Sequence, residues 1–219
     1  MTKPTPKPWY WLGAIIACII MLGASSSLLI HGYRPTTFHS ETVGTLGQPI
    51  DFHFAENVDG ERFTREAIVK LDSFGEVSQE EVAEAFNAAR DKQFPTYSNV
   101  GSFYKATFIW NAPPDSPLNS CYVKLADREE LMHPSILSTS PEDDPTQFLE
   151  NDACQPNGRK GPDGYTVIEY ESSINQRSEK RPQTWKTSHY FATNRGFTPT
   201  NIFIYWLPPS RIRIDLEAY

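Results

Sequence analysis

Hydrophobic positions run along this chain in two different rhythms. From Leu12 to Ile30 there is no Asp, Glu, Lys, Arg, His, Asn or Gln, and Trp9, Tyr10 and Trp11 stand just ahead of the run. Residues 9–30 are 22 positions. At ~1.5 Å per helical residue they would span roughly 33 Å, enough for a ~30 Å hydrocarbon core. The stretch therefore predicts a transmembrane helix, with Trp9, Tyr10, Trp11, Leu12 and Ile30 as its anchoring ends. Lys3 and Lys7 precede it without an acid, which places residues 1–8 as a short cytoplasmic stub and the rest beyond an inner membrane. Two alternatives are a signal cut near Ser25-Ser26-Ser27 and a lipid-modified Cys18 after Ile15-Ile16-Ala17. Both fit less well, because the apolar run continues through Leu28-Leu29-Ile30 and directly after Cys18.

Beyond a polar, Gly- and Pro-broken stalk at 31–49, the rhythm changes to period two, the mark of half-buried strands. Ala67, Val69 and Leu71 alternate with Glu66, Lys70 and Asp72. Tyr104, Ala106, Phe108 and Trp110 share one side of a second run. Ile212, Ile214 and Leu216 alternate with Arg211, Arg213 and Asp215. Further strands are expected at 50–54, 121–126, 165–171, 184–191 and 201–207. The 201–207 run is apolar on both faces and is expected to be central. One helix stands out: Ser78 and Glu81 form a capping box, and Val82, Ala85, Phe86 and Ala89 share a face. The stretch from His133 to Asp163 is rich in Pro, Ser, Asp and Gly and reads as a long surface excursion.

The resulting expectation is an α+β architecture. A transmembrane helix leads into an extracytoplasmic domain at 50–219, a mainly antiparallel sheet with one long helix packed on it. A β-sandwich with an inserted helix is the alternative.

Charge narrows the partners. All 27 acids and 18 of the 20 Lys and Arg lie after residue 30, a balance of −9 there. Such a domain is a poor ligand for nucleic acid. Cys121 and Cys154 are the cysteines outside the apolar run, and in an oxidising compartment they are most simply a disulfide.

Chemistry-bearing motifs are weak. Gly158-Arg159-Lys160-Gly161 lacks the phosphate-loop pattern, and the acids Glu142, Asp143, Asp144, Glu150 and Asp152 lack calcium-loop spacing. His31, His39, His53, His133 and His189 fall in no metal-ligand spacing. Gly101-Ser102 lacks the second glycine of a nucleophile elbow. Glu169 and Glu171 read as neighbours on one strand face. No catalytic, cofactor or metal residue is therefore assigned. The least bland feature is aromatic: Trp185, Tyr190, Phe191, Phe203, Tyr205 and Trp206 lie on strands expected to be neighbours. Core packing accounts for most such rings. Trp185, Tyr190, Tyr205 and Trp206 are the candidates for an interface, decided by which rings stay exposed.

The expected role is a non-catalytic, single-pass accessory or assembly subunit of a larger membrane complex in respiratory, secretion or envelope machinery. Its partners would be the bilayer and other subunits. The alternatives are an exported lipid- or glycan-binding module and a membrane-anchored envelope hydrolase.

Overall fold

Alternation of apolar and polar side chains builds a sheet that curls around its own apolar face. A computed structural model of the chain describes residues 15–21, 38, 40–58, 61–90, 100–118, 121–129, 131–139, 153–156, 166–168, 171–173, 181–206 and 210–216. The strands are β1 (Ser40–Thr45), β2 (Pro49–Val58), β3 (Glu61–Val77), β4 (Val100–Asn111), β5 (Tyr122–Ala126) and β6 (Met132–Thr139), then β7 (Thr166–Ile168), β8 (Glu171–Ser173), β9 (Thr184–Asn194), β10 (Asn201–Tyr205) and β11 (Ser210–Asp215). Nine of them form one mixed sheet in the order β1-β11-β10-β5-β6-β9-β4-β3-β2, and β7 pairs with β8 as a separate ribbon. β1 and β11 run parallel; the other pairs are antiparallel.

The sheet turns its corner in β6. The first half of β6 pairs with β5 (Lys124↔Pro134) and the second with β9 (Thr139↔Ser188), with a register slip between Ser135 and Leu137. A proline and a slip of register both bend a strand. The two halves of the sheet thereby face each other across one core. Phe52, Leu71, Phe108, Trp185, Ile204 and Ile214 all bury their side chains in it.

The expected α+β layering is not what forms. The chain is mostly strand, and the Gln79–Arg90 helix spans only 12 residues. Ser78 caps it as read, its Oγ accepting from Glu81 N at 3.1 Å. Its buried stripe is narrow: Val82 and Phe86 cover Phe103 and Tyr190 on the outer side of β4 and β9. A stripe of that width cannot shield a whole sheet face, so the sheet covers its core by curling instead. The polar stretch after His133 opens with β6 rather than a surface excursion, and the strand read at 165–171 divides into β7 and β8. β1 lies within the segment read as a stalk.

The transmembrane helix is a second correction. Among the described residues no helix is long and apolar enough to cross a membrane. The described helical residues of this run, 15–21, account for about 10 Å, a third of a hydrocarbon core. Residues 9–14 and 22–30, with Trp9, Tyr10, Trp11, Leu12 and Ile30, lie outside the described residues. Bilayer anchoring and single-pass topology therefore have no helix to rest on among the described ones.

One end of the sheet is closed by residues 112–118 and 153–156, held from several directions. The Arg65 guanidinium donates Nη1–H to Pro117 O at 2.6 Å. Arg181 donates Nη2–H to Pro113 O (2.7 Å) and Ser116 O (3.0 Å). Ser116 Oγ donates to Glu66 O and accepts from Glu66 N. Trp206 Nε1–H reaches Leu118 O, and Trp185 Nε1–H reaches Cys154 O. Cys121 and Cys154, both buried, form a disulfide with Cα atoms 5.7 Å apart and a sequence separation of 33. Chain entropy over such a loop gives roughly 3–4 kcal/mol of stabilisation. Denaturant titration with and without reductant is expected to differ by that amount. A difference below about 1 kcal/mol would show that the loop is restrained by other means.

Candidate functional site

The outer face of β1, β11, β10 and β5 presents three rungs of side chains fixed by strand register. The first runs Glu41, Arg211, Tyr205, Tyr122. The second runs Val43, Arg213, Phe203, Lys124. The third runs Thr45, Asp215, Asn201, Ala126. Period-two alternation places each of them opposite the core residues Ile202, Ile204, Ile212, Ile214, Val123 and Leu125.

The first rung is aromatic at one end. Tyr122 and Tyr205 stack with centroids 5.5 Å apart and planes at 19°. Phe38 meets Tyr205 edge-on at 5.2 Å. Lys124 Nζ lies 5.1 Å from the Tyr205 ring centre and, among the described residues, has no carboxylate partner. At the other end the cations are neutralised. Glu41 accepts from Arg211 Nε at 2.6 Å and from Arg213 Nη1 at 2.7 Å. Arg213 Nε also donates to Asp215 Oδ1 at 2.9 Å. The Arg211 guanidinium carbon thereby sits over Phe203, 4.4 Å from its centroid. Phe203, apolar on the outward side, is consequently 1 % exposed. Val43 and Tyr122 at the two margins are 49 % and 38 % exposed.

The four ring candidates separate on this geometry. Trp185 is buried, stacked on Trp110 at 6.1 Å. Trp206 is buried against Phe52 and Phe54. Tyr190 is buried beneath the Gln79–Arg90 helix. Tyr205 alone of the four belongs to the outer platform. The reading from sequence missed Phe38, Glu41, Tyr122 and Lys124 as its companions. Tyr122 and Lys124 alternate with Val123 and Leu125, so their outward direction was legible; that β5 lies beside β10 was not.

Other chemistry is placed as follows. His53 Nδ1 pairs with Glu66 Oε2 at 3.2 Å on the surface, and His133 packs edge-on against Phe197 at 4.6 Å. His189 is fully buried, and its Nε2 lies 3.1 Å from Thr187 Oγ1. Among the described residues no group of three His, Cys, Asp or Glu side chains is placed to hold a metal. Gly101 serves the backbone: a Cβ there would lie 2.5 Å from Asn194 O, at the slip of register between β4 and β9. Glu169, residues 142–152 and residues 157–161 lie outside the described residues. An open crevice of about 690 Å³ lies between Asp127–Glu129, Gly196, Thr198–Thr200 and Leu216. Its Asp127 carboxylate is occupied in shaping the β5–β6 turn, accepting from Glu129 N (3.0 Å) and Leu131 N (2.9 Å).

No protein-family model matches this chain, and neither does any curated protein. Among solved structures, a secreted protein of Mycobacterium tuberculosis, MPT63, aligns with 79 % of this chain and 95 % of its own at 11 % identity and a TM-score of 0.41. A likeness that distant carries no argument about this chain's role. The platform stands on its own geometry.

Proposed function

We propose that this chain is an exported, non-catalytic interaction module, an accessory or assembly subunit that docks a protein surface on the outer face of β1, β11, β10 and β5. The observation that carries the reading is the platform itself. Tyr and Arg are the residue types enriched at the centres of protein interfaces, and here two Tyr and two Arg are held rigid on a sheet. The arginines are already fixed by Glu41, so little side-chain entropy remains to be lost on docking. Four strands ~4.8 Å apart and three rungs ~6.7 Å apart make a patch of roughly 300 Å² with its margins. A standard interface buries about 800 Å² per partner, so the platform would be its centre with the neighbouring strands as its rim. Glycans and lipids are usually taken up in clefts, and the crevice described above is lined by none of the platform's Tyr or Arg residues. Export is supported by the buried disulfide, a bond that persists in oxidising compartments.

Hydroxyl-radical footprinting tests this without knowledge of the partner. Tyr122 and Tyr205 are expected to be protected in native extract relative to the isolated chain at high dilution. Equal labelling in the two conditions would refute the docking role.

A further inference from the structure

Residues 153–156 cover one titratable side chain of the core, and the cover is tied down covalently. Cys154 is bonded to Cys121, just ahead of β5. Ala153 N–H donates to Cys121 O at 3.3 Å, and Cys154 O accepts from Trp185 Nε1 at 3.1 Å. Beneath lies His189, with the Ala153 backbone against its ring. Phe108 meets the ring edge-on at 5.4 Å, and Ala106 on β4 and Ser138 on β6 are its register partners. Burial holds the ring's pKa down to about 3, the Ala153 backbone opposing a little, and no charged side chain enters that balance. Tyr104 on β4 packs against the same core, and burial raises its pKa further from neutrality. His133 on β6 packs against Phe197, and the Arg181 guanidinium stands over Trp185. Without the disulfide, the described contacts holding the cover are those two hydrogen bonds and the burial of Ala153 and Pro156. Gln155 opposes them: it is 3 % exposed, and neither Oε1 nor Nε2 has a partner among the described residues. A buried polar group left unpaired costs more than a typical hydrogen bond contributes.

We propose that the Cys121–Cys154 disulfide is a redox latch, whose reduction lifts residues 153–156 off the core and opens His189 to water, so that acid favours the reduced form. The reaction is exchange with a small dithiol or thiol. Two electrons pass to the protein sulfurs, two protons move from the reagent thiols to Cys121 and Cys154, and the reagent closes to its own disulfide. With all thiols protonated near neutral pH and below, that exchange takes up no net proton. The one proton drawn from solvent goes to His189, which under a lifted cover has the ordinary pKa of ~6.5. Acid therefore pulls the equilibrium toward the dithiol, and reduction strengthens proton binding by the same factor. The latch is independent of the docking role proposed above.

Equilibration of the full chain with fixed ratios of reduced to oxidised dithiothreitol, at pH 7 and at pH 5.5, tests it, with protein thiols counted by alkylation. The dithiol-to-disulfide ratio is expected to be about eightfold higher at pH 5.5. His189→Gln is expected to remove that dependence. Because this substitution also removes a buried ring, a second measurement reads the imidazole directly. In the Cys121→Ser, Cys154→Ser double variant its NMR resonances are expected to titrate near pH 6.5, whereas in the oxidised wild type they stay constant down to pH 5. Amide protection at Ile204 and Ile212 is expected to persist in the reduced chain, which separates a lifted cover from global unfolding. A wild-type ratio that ignores pH, or a His189→Gln chain that keeps the wild-type dependence, would overturn the latch. So would an imidazole that stays neutral in the double variant, or loss of protection at Ile204 and Ile212 on reduction.

Discussion

Replacing Arg181 with alanine is expected to lower the unfolding free energy by about 3–5 kcal/mol. The side chain is buried, and burial pushes its pKa down to about 10, with Asp115 opposing the shift. It therefore stays charged at neutral pH. Its Nη2 holds two carbonyls of the segment that closes the sheet, and its guanidinium carbon lies 4.6 Å from the Trp185 ring centre. Removing it strands Pro113 O and Ser116 O away from water, at about 1–3 kcal/mol each, and removes the ring contact. Relief of the buried charge offsets part of this. Arg181→Lys is expected to recover only part of the loss, because an ammonium lacks the planar fork that stacks on an indole while bonding sideways. Arg65 holds the neighbouring carbonyl of Pro117, so Arg65→Ala and Arg181→Ala are expected to be less than additive in the double variant. Guanidinium-chloride midpoints measure all four. A loss under about 1 kcal/mol for Arg181→Ala, or full additivity, would mean that this end of the sheet is held by other contacts. Buried arginines often mark anion sites; here Arg65 Nη1 and Arg181 Nη2 are turned to backbone carbonyls.

Acidification is expected to weaken the fold through His189. Trp110 Nε1–H donates to Thr187 Oγ1 at 2.9 Å, and His189 Nε2 lies 3.1 Å from the same hydroxyl oxygen. The other ring nitrogen of His189, Nδ1, is buried without a hydrogen-bond partner among the described residues. Burial drives its pKa down from 6.5 to about 3, the Ala153 backbone offsetting a little. The unfolded chain binds this proton near pH 6.5 and the folded chain does not until about pH 3. Stability from the neutral ring is therefore complete above about pH 6.5 and falls as the pH drops toward 3. The expected loss is about 2 kcal/mol between pH 7 and 5 and about 4 kcal/mol by pH 3. Unfolding titrations of wild type and His189→Gln across pH 7 to 5 isolate it, since the exposed carboxylates and other histidines are common to both. The variant should be less stable at pH 7 and flatter in its pH dependence. Parallel profiles would show that His189 takes up its proton without opening the core.

Legibility in the sequence followed sequence distance. Period-two runs around Val69, Phe108 and Ile214 located core strands, because alternation is a local consequence of burying one face. Ser78 was legible as a helix cap for the same reason. β6 was not, since Pro134 and the serines around it resemble a loop, and their place in the sheet depends on β5 and β9. The helix was seen and its importance overstated, because an apolar stripe says that something is covered without saying how much. Trp206 and Tyr205 are adjacent in the chain, yet one is core and the other platform. Only the lateral order β11-β10-β5 shows which side of that strand is open.

The pairing of β1 with β11 joins Glu41 to Arg211 across 170 positions. Non-local closures of this kind form slowly, because a long loop must be ordered before its contacts are gained. A ribosome would have to release almost all of these strands before the first could meet the last. Until then the sheet keeps unpaired strand edges at β1 and β11, which are templates for pairing with another chain.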